Sequence, residues 1–280
     1  PRVMPGEIRF GPAAAPRWFD LDLARFGDYL DLITSCGATA IEFVALPEVG
    51  TEEERRVHLD IQQWPEYVAA AQARDLTVNI HWPLPPRFRL EGIAVDHLLG
   101  MAVMVDLVAA GQSAPPAVIV HGISNDPALT FGRLDVFRKH LESEAQICLE
   151  SRVPMNADDH RWDRSLISLA DELQEPYGIC WDVANQWLAT RSLDVPHDVL
   201  GRIRHIHLHD SRPDHTLHAP LDTGAIDWRT ALAAFHTSSH WQGCLTLEIR
   251  YRYASEVGEP WDVLRDTLQR ANAYLTNGEP

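Results

Sequence analysis

Between Arg202 and Asp210 the chain reads Arg-Ile-Arg-His-Ile-His-Leu-His-Asp. Ile203, His205, His207 and His209 fall on one face at a period of two, with Ile206 and Leu208 on the other, which is a strand pattern and not a helical one. An imidazole ladder that ends in Asp210 and runs into a Pro/Asp/His-rich loop reads as a strand delivering groups into a site. Five other stretches that read as strands end in the same kind of residue: His81, His121, Asp158, Asp182 and Glu248. Two positions before the six ends, on the same face, stand Asn79, Ile119, Asn156, Cys180, His205 and Thr246. The residues between them, such as Ile80, Val120, Trp181, Ile206 and Leu247, are apolar. One buried histidine is ordinarily a satisfied core group. Six polar ends together, three of them carboxylates, are too costly to desolvate without compensation. Three carboxylates with an imidazole suit one divalent cation, Mn first, with Mg, Co or Zn as alternatives.

The elements that must position these ends alternate along the chain. Glu7 to Gly11 is a weak first strand, followed by a helix capped by Asp20 that ends near Gly37. Ala38 to Leu46 is the second strand, with Glu42 on the face opposite Ile41 and Phe43. Thr51 and Glu54 have capping-box spacing for a helix that runs to about Arg74. Leu76 to His81 is the third strand, closed by the proline-rich stretch after Trp82. A helix from about Glu91 to Ala110 leads to the fourth strand, Pro116 to His121. Leu134 to Glu150 reads as helix and Val153 to Asp158 as the fifth strand. Asp163 caps a helix through Leu173, and Tyr177 to Asp182 is the sixth strand. A helix around Leu193 to Leu200 leads into the histidine-rich seventh strand. Asp227 to Phe235 is helical, Cys244 to Ile249 is the eighth strand, and Trp261 to Tyr274 is the last helix. Eight strands, each followed by a helix, predict one (β/α)8 TIM barrel over residues 1–280, with the polar ends gathered at its mouth. A doubly wound open sheet is the alternative.

The chain has 280 residues, 45% of them hydrophobic, which is enough for one large core. Its 24 Lys and Arg against 40 Asp and Glu give a net charge of −16. That balance disfavours nucleic acid and anionic membrane surfaces as partners. Cys36, Cys148, Cys180 and Cys244 are scattered without Cys-x-x-Cys spacing, the mark of free thiols in a reducing compartment. No apolar run reaches the roughly 18 residues of a membrane span, and the first residues carry no signal-peptide pattern. A cytoplasmic soluble enzyme is the expectation.

Several stretches resemble the xylose isomerase-like TIM barrels, a superfamily that holds sugar phosphate isomerases/epimerases, ketose 3-epimerases and the endonuclease IV nucleases. Val153-Pro154-Met155-Asn156-Ala157-Asp158-Asp159-His160 is similar to that family's strand ending in Glu-Asn, and Cys180-Trp181-Asp182-Val183-Ala184-Asn185 to its Asp-x-x-His. His207-Leu208-His209-Asp210, continuing through His218-Ala219-Pro220 to Ile226-Asp227-Trp228, resembles its His-x-x-Asp and His-x-Pro-x-Gly-x-Gly-x-Ile-Asp-Trp segments. Leu247-Glu248-Ile249 matches its last ligand strand. The likeness runs from about residue 7 to 275. It implies one divalent metal held by Asp158, Asp182, His207 and Glu248, with Asp158 and Glu248 as the acid/base pair.

Three departures stand out. Asp158 replaces a glutamate and reaches about 1.5 Å less far. Asn185 stands where an imidazole is usual, and Asp222 replaces the first glycine of the Gly-x-Gly turn. The resemblance therefore implies proton transfer next to the carbonyl of a sugar or polyol, through an enediolate. A dehydratase or lyase on the same metal, an endonuclease IV-like phosphodiesterase and a non-catalytic sugar-binding barrel are the alternatives. His81, His121, Asn185, His218 and Arg250 are the candidate substrate contacts, and Arg250 serves either to hold a substrate anion or to neutralise the carboxylates. Trp82, Trp162 and Trp187 follow strand ends and could stack on a sugar ring. A homo-oligomer is compatible with all of this.

Overall fold

Short apolar runs that alternate with amphipathic helices fold into eight parallel strands: β1 (Arg9–Ala14), β2 (Ala40–Leu46), β3 (Thr77–Trp82), β4 (Ala117–Val120), β5 (Gln146–Glu150), β6 (Gly178–Asp182), β7 (Ile203–Leu208) and β8 (Cys244–Leu247). Each pairs with its neighbours in chain order, and β1 pairs with both β2 and β8, so the sheet closes on itself. The computed structural model describes residues 8–20, 22–46, 59–60, 63–82, 95–121, 127–152, 165–212, 214, 216–237 and 241–278. The two residues Leu59–Asp60 add a short parallel pairing beside the end of β2. The fold is the expected (β/α)8 barrel.

Helices α1 (Leu23–Ser35), α2 (Trp64–Gln72), α3 (Val95–Ala109), α4 (Pro127–Lys139), α5 (Leu166–Glu172), α6 (Val183–Thr190), α7 (His197–Leu200), α8 (Trp228–Thr237), α9 (Tyr251–Val257) and α10 (Pro260–Asn277) lie between or after the strands. No helix among the described residues is long and apolar enough to cross a membrane. The strand faces divide the core in two. Ile80, Val120, Trp181, Ile206 and Leu247 point outward and are fully buried in one large cluster with the helices. Ala117, Ile119, Cys148 and Cys180 form a small separate cluster inside the barrel. Burying such apolar faces is the main driving force for closing the layers. At the closing seam a Cβ on Gly11 would stand 1.6 Å from the Ala40 carbonyl oxygen, so only glycine lets β1 approach β2. All four cysteines are buried and free.

Several boundaries differ from the sequence reading, each for a local reason. α1 is capped by Asp22 and not Asp20: the Asp22 carboxylate accepts from the backbone N–H groups of Ala24 at 2.8 Å and Arg25 at 3.2 Å. Asp20 instead adopts φ 49 and pairs with Arg25. The stretch expected to be helical through Glu150 breaks after Lys139. There the Asp106 carboxylate accepts from the backbone N–H groups of Glu142 and Ser143, at 3.1 and 2.9 Å, and folds a turn. The fifth strand therefore occupies Gln146–Glu150, and the expected Val153 to Asp158 lies outside the described residues. Asp158, Asn156, Trp162, Asp163 and the Thr51–Glu54 capping box lie outside the described residues. α6, not expected at all, starts directly at the end of β6.

Candidate active site

The polar strand ends converge because parallel pairing sets them level. Asp182 pairs with His207, and His207 with Thr246 one residue short of Leu247-Glu248. His81 pairs with Ile119, which places it beside His121 just past the end of β4. Glu150 closes β5 opposite Cys180. His81, Glu150, Asp182, His207 and Glu248 are all buried, and His121 is nearly so. A cavity of about 200 Å³ opens above them, lined by His81, His121, Glu150, Asp182, Asn185 and Glu248 among others.

Glu42, on the inner face of β2, forms the floor. Its carboxylate meets His205 Nε2 at 2.9 Å, His207 Nε2 at 3.2 Å and the Thr246 hydroxyl, which donates at 3.0 Å. Burial alone would raise the Glu42 carboxyl, but the His207 charge and hydrogen bonds from His205, His207 and His81 hold it well below the usual range. Above it stand two glutamates. Glu150 Oε2 lies 2.7 Å from His121 Nε2, and Glu248 Oε1 lies 3.1 Å from His81 Nδ1. His207 Nδ1 reaches both, at 3.4 Å from Glu150 Oε1 and 3.5 Å from Glu248 Oε2.

The imidazoles are divided by their neighbours. Burial works against a charge on His81 and His207, yet it is outweighed, by Glu150, Glu248 and Glu42 for His81 and by Cys180, Glu248 and Glu42 for His207, and both are held well above the usual histidine range. Burial and the Arg152 charge push His121 down to about 3. Arg152 Nη1 donates to His121 Nδ1 at 3.0 Å, so the remaining ring proton sits on Nε2, toward Glu150. His209 Nδ1 accepts from the His218 backbone N–H at 3.0 Å, and its Nε2 stands 3.5 Å from Asp182 Oδ1.

The loops that carry the site are built from carboxylates. Asp182 caps α6: the Asn185 backbone N–H donates to its Oδ1 at 2.9 Å, and the Asn185 side-chain amide donates to its Oδ2. Asn185 thus orients Asp182 from the rim of the cavity. Asp210 lies one position beyond the ladder and binds the backbone N–H groups of Ser211, Gly224 and Ile226 at 2.8, 2.8 and 3.1 Å, fixing the loop after β7. In that loop Asp222 takes the glycine-like φ of 64° and uses its carboxylate to hold Trp228 Nε1 at 2.9 Å, Arg229 at 2.7 Å and Arg270 at 3.1 Å. His218, also at positive φ, lies 3.6 Å from Glu248 Oε2.

Glu150, Asp182, His207 and Glu248 each bring one ligand atom within 4.8 Å of the others. Their chemistry fits a hard-to-borderline divalent cation. Glu150 Oε2 is buried without a completed hydrogen bond among the described residues, despite its approach to His121. A different grouping, Glu42 with His81, His207 and Glu248, has the same compactness. Glu42 is already engaged by His205 and Thr246 beneath the cavity, whereas Glu150, Asp182 and Glu248 line it, which favours the first set.

Of the residues singled out in the sequence, His81, His121, Asp182, Asn185, His207, His218, Glu248 and Arg250 gather here. Asp158 lies outside the described residues, and Glu150 supplies the carboxylate at the end of the fifth strand. Glu150, Glu42 and His209 were not among the candidate site residues. The signal for Glu150 was present: Leu149-Glu150 closes an apolar run as Leu247-Glu248 does. Trp82 is fully buried on the outer face against Phe137, with ring centroids 5.7 Å apart, and so does not stack in the cavity. Trp187 packs under the Arg191 guanidinium, 4.2 Å from its ring centroid.

Residues 30–272 match the family described as xylose isomerase-like TIM barrel. No curated protein matches the sequence. Among solved structures, a D-allulose 3-epimerase from Methylomonas sp. superposes with a TM-score of 0.67 at 14% identity, over 96% of this chain and 97% of that one. An L-ribulose 3-epimerase gives 0.65 at 14% identity, over 98% and 100%. A D-psicose 3-epimerase from Clostridium cellulolyticum H10, solved with D-tagatose, gives 0.63 at 12% identity, over 96% and 98%. At these identities the likeness is one of fold.

Proposed function

Because the chain belongs to the xylose isomerase-like TIM barrel family, we propose that it is a metal-dependent sugar or polyol isomerase/epimerase that moves a proton next to a carbonyl. The observation that carries this reading is the pair Glu150 and Glu248, ending strands three apart around the barrel and lining one small cavity. The ketose 3-epimerases among the structures of the same fold support it.

Glu150, Asp182, His207 and Glu248 are the residues that would hold a divalent cation. Bound there, it would supply electrostatic stabilisation of the negative charge that develops on adjacent oxygens of a hydroxy-ketone. One glutamate removes the carbon-bound proton, and the C–H electron pair becomes the C=C bond of an enediolate. The glutamate on the other side returns a proton to that carbon, the carbonyl re-forms, and the configuration is inverted. Each carboxylate has an imidazole at its side: His121 Nε2 for Glu150, His81 Nδ1 for Glu248. Burial keeps bulk water from competing for the reactive face. Asp182, fixed by Asn185, stays a ligand and takes no proton in this scheme.

The test is proton NMR of D-fructose, D-tagatose and D-allulose incubated in D2O with the protein and Mn. The expected result is loss of a carbon-bound hydrogen signal next to the carbonyl, abolished by EDTA. An eliminated, dehydrated product would move the site to a lyase. Cleavage of abasic DNA without exchange on any sugar would overturn the reading in favour of a nuclease.

A further inference from the structure

The cavity has an acidic floor and a basic rim. Arg152 follows the end of β5 by two residues, Arg250 follows the end of β8 by three, and both line the opening. Some other arginines are tied to carboxylates, as Arg74 is to Asp31 at 2.6 Å and Arg229 to Asp222 at 2.7 Å. Arg152 and Arg250 form no such pair among the described residues, although Glu150, Asp182 and Glu248 line the same space. Among the described residues the polar contact of the Arg152 guanidinium is with His121 Nδ1, made through Nη1, and Arg152 lines the cavity. Arg250 is held through its backbone, whose N–H donates to the His218 carbonyl at 3.1 Å, and its side chain is exposed. Two guanidinium groups placed over the floor but not paired to it are not there merely to neutralise it.

We propose that the substrate carries an oxyanion, a carboxylate or a phosphate, at the end remote from the reacting carbon, and that Arg152 and Arg250 hold that group. This rests on the proton-transfer reading of Glu150 and Glu248 given above. The guanidinium fork matches both oxyanions in geometry and charge. A neutral sugar would offer neither guanidinium a charge to pair with. Ala15, Val44, Leu217 and Ile249 make the rest of the rim largely apolar, so it offers few other groups to bind hydroxyls. The cavity of about 200 Å³ has room for one monosaccharide acid or phosphate. The hydroxy-ketone end meets the carboxylate floor, and the anion meets the rim.

Binding and turnover separate the claims. Calorimetry on the intact protein with Mn compares gluconate, glucitol 6-phosphate and neutral glucitol, none of which can turn over through a carbonyl. The expected result is affinity for one of the two anions about 10- to 100-fold above glucitol, the scale of hydrogen bonds to charged groups. Which anion wins distinguishes carboxylate from phosphate. Arg250→Met, remote from His121, removes most of that preference, and Arg250→Lys keeps part of it. Equal affinity for glucitol and both anions, or a preference that survives Arg152→Met combined with Arg250→Met in a protein of unchanged melting temperature, overturns the inference. Exchange in D2O is read beside it on a keto-acid, a ketose phosphate and a neutral ketose. An anion preference without exchange on any of the three keeps the rim site and sinks the proton-transfer reading. Exchange together with equal affinities does the reverse.

Discussion

β5 and β8 end alike in sequence, Leu149-Glu150 and Leu247-Glu248, and differ in what surrounds them. Glu150 leans on His121, an imidazole that burial and Arg152 keep neutral and fixed in one tautomer. Glu248 leans on His81, which the surrounding carboxylates hold protonated, with His218 on its other side. His207 stands between the two at nearly equal distances. One barrel thus presents the same carboxylate twice with different partners, which is what a reaction needing two distinct proton carriers requires. Inside the same barrel Ala117, Ile119, Cys148 and Cys180 pack as a small apolar cluster beside the buried polar groups Glu42, Asn79 and His205.

Removing the shared neighbour should have the largest effect. His207→Ala withdraws a ligand and the imidazole that both glutamates face, so bound divalent metal and exchange should both disappear. Elemental analysis of protein purified without chelator is the check, and metal content equal to that of the parent would contradict the ligand set. Next comes Glu248→Gln, nearly isosteric at the end of a rigid strand. It should lower exchange by about 10²- to 10⁴-fold, the scale of a lost general base, with metal occupancy measured beside the rate.

The asymmetry itself is tested through His121. His121→Ala should lower exchange by about 10- to 100-fold, the usual effect of removing a group that orients a ligand. Because it acts through Glu150, it should add little in a Glu150→Gln background and its full effect in a Glu248→Gln background. Equal additivity in both would mean that the two ends are not separately supported.

The smallest effect is expected in the loop after β7. Its clamp is Asp222, whose carboxyl the Arg229 hydrogen bond, with Trp228 and Arg270, lowers to about 2. A carboxylate with a folded-state pKa below its unfolded value of about 3.9 contributes stability above that value and loses it as pH falls through about 2. Asp222→Asn keeps a residue tolerant of the left-handed backbone and should lower the melting temperature at pH 7 by on the order of 2 °C, as for a partly exposed ion pair. The difference from the parent should close between about pH 4 and pH 2.

Much of this arrangement is legible from residue patterns. The alternation in Ile203–Leu208 and the outward apolar partners of each strand end depend only on the two-residue period, and they predict the barrel and the placement of Asp182, His207 and Glu248. Glu150 was hidden because Gln146–Glu150 follows α4 after a short polar turn, and that turn exists through a carboxylate 36 residues away, Asp106. Asn185 resembles a lost histidine in sequence, yet it serves as the amide that binds the oxygens of Asp182. Glu42 sits in an apolar strand, and its three imidazole contacts come from other strands that only the closed barrel brings near.

The central claim is that Glu150 at the end of β5 is the second carboxylate of the site, in place of the Asp158 that resemblance alone suggests. The direct measurement is metal-dependent hydrogen exchange in D2O for Glu150→Gln beside Asp158→Asn, each checked for folding by circular dichroism. The account predicts that Glu150→Gln loses about 10²- to 10⁴-fold in exchange rate while Asp158→Asn stays within a fewfold of the parent. Loss of exchange in Asp158→Asn with activity retained in Glu150→Gln would contradict it.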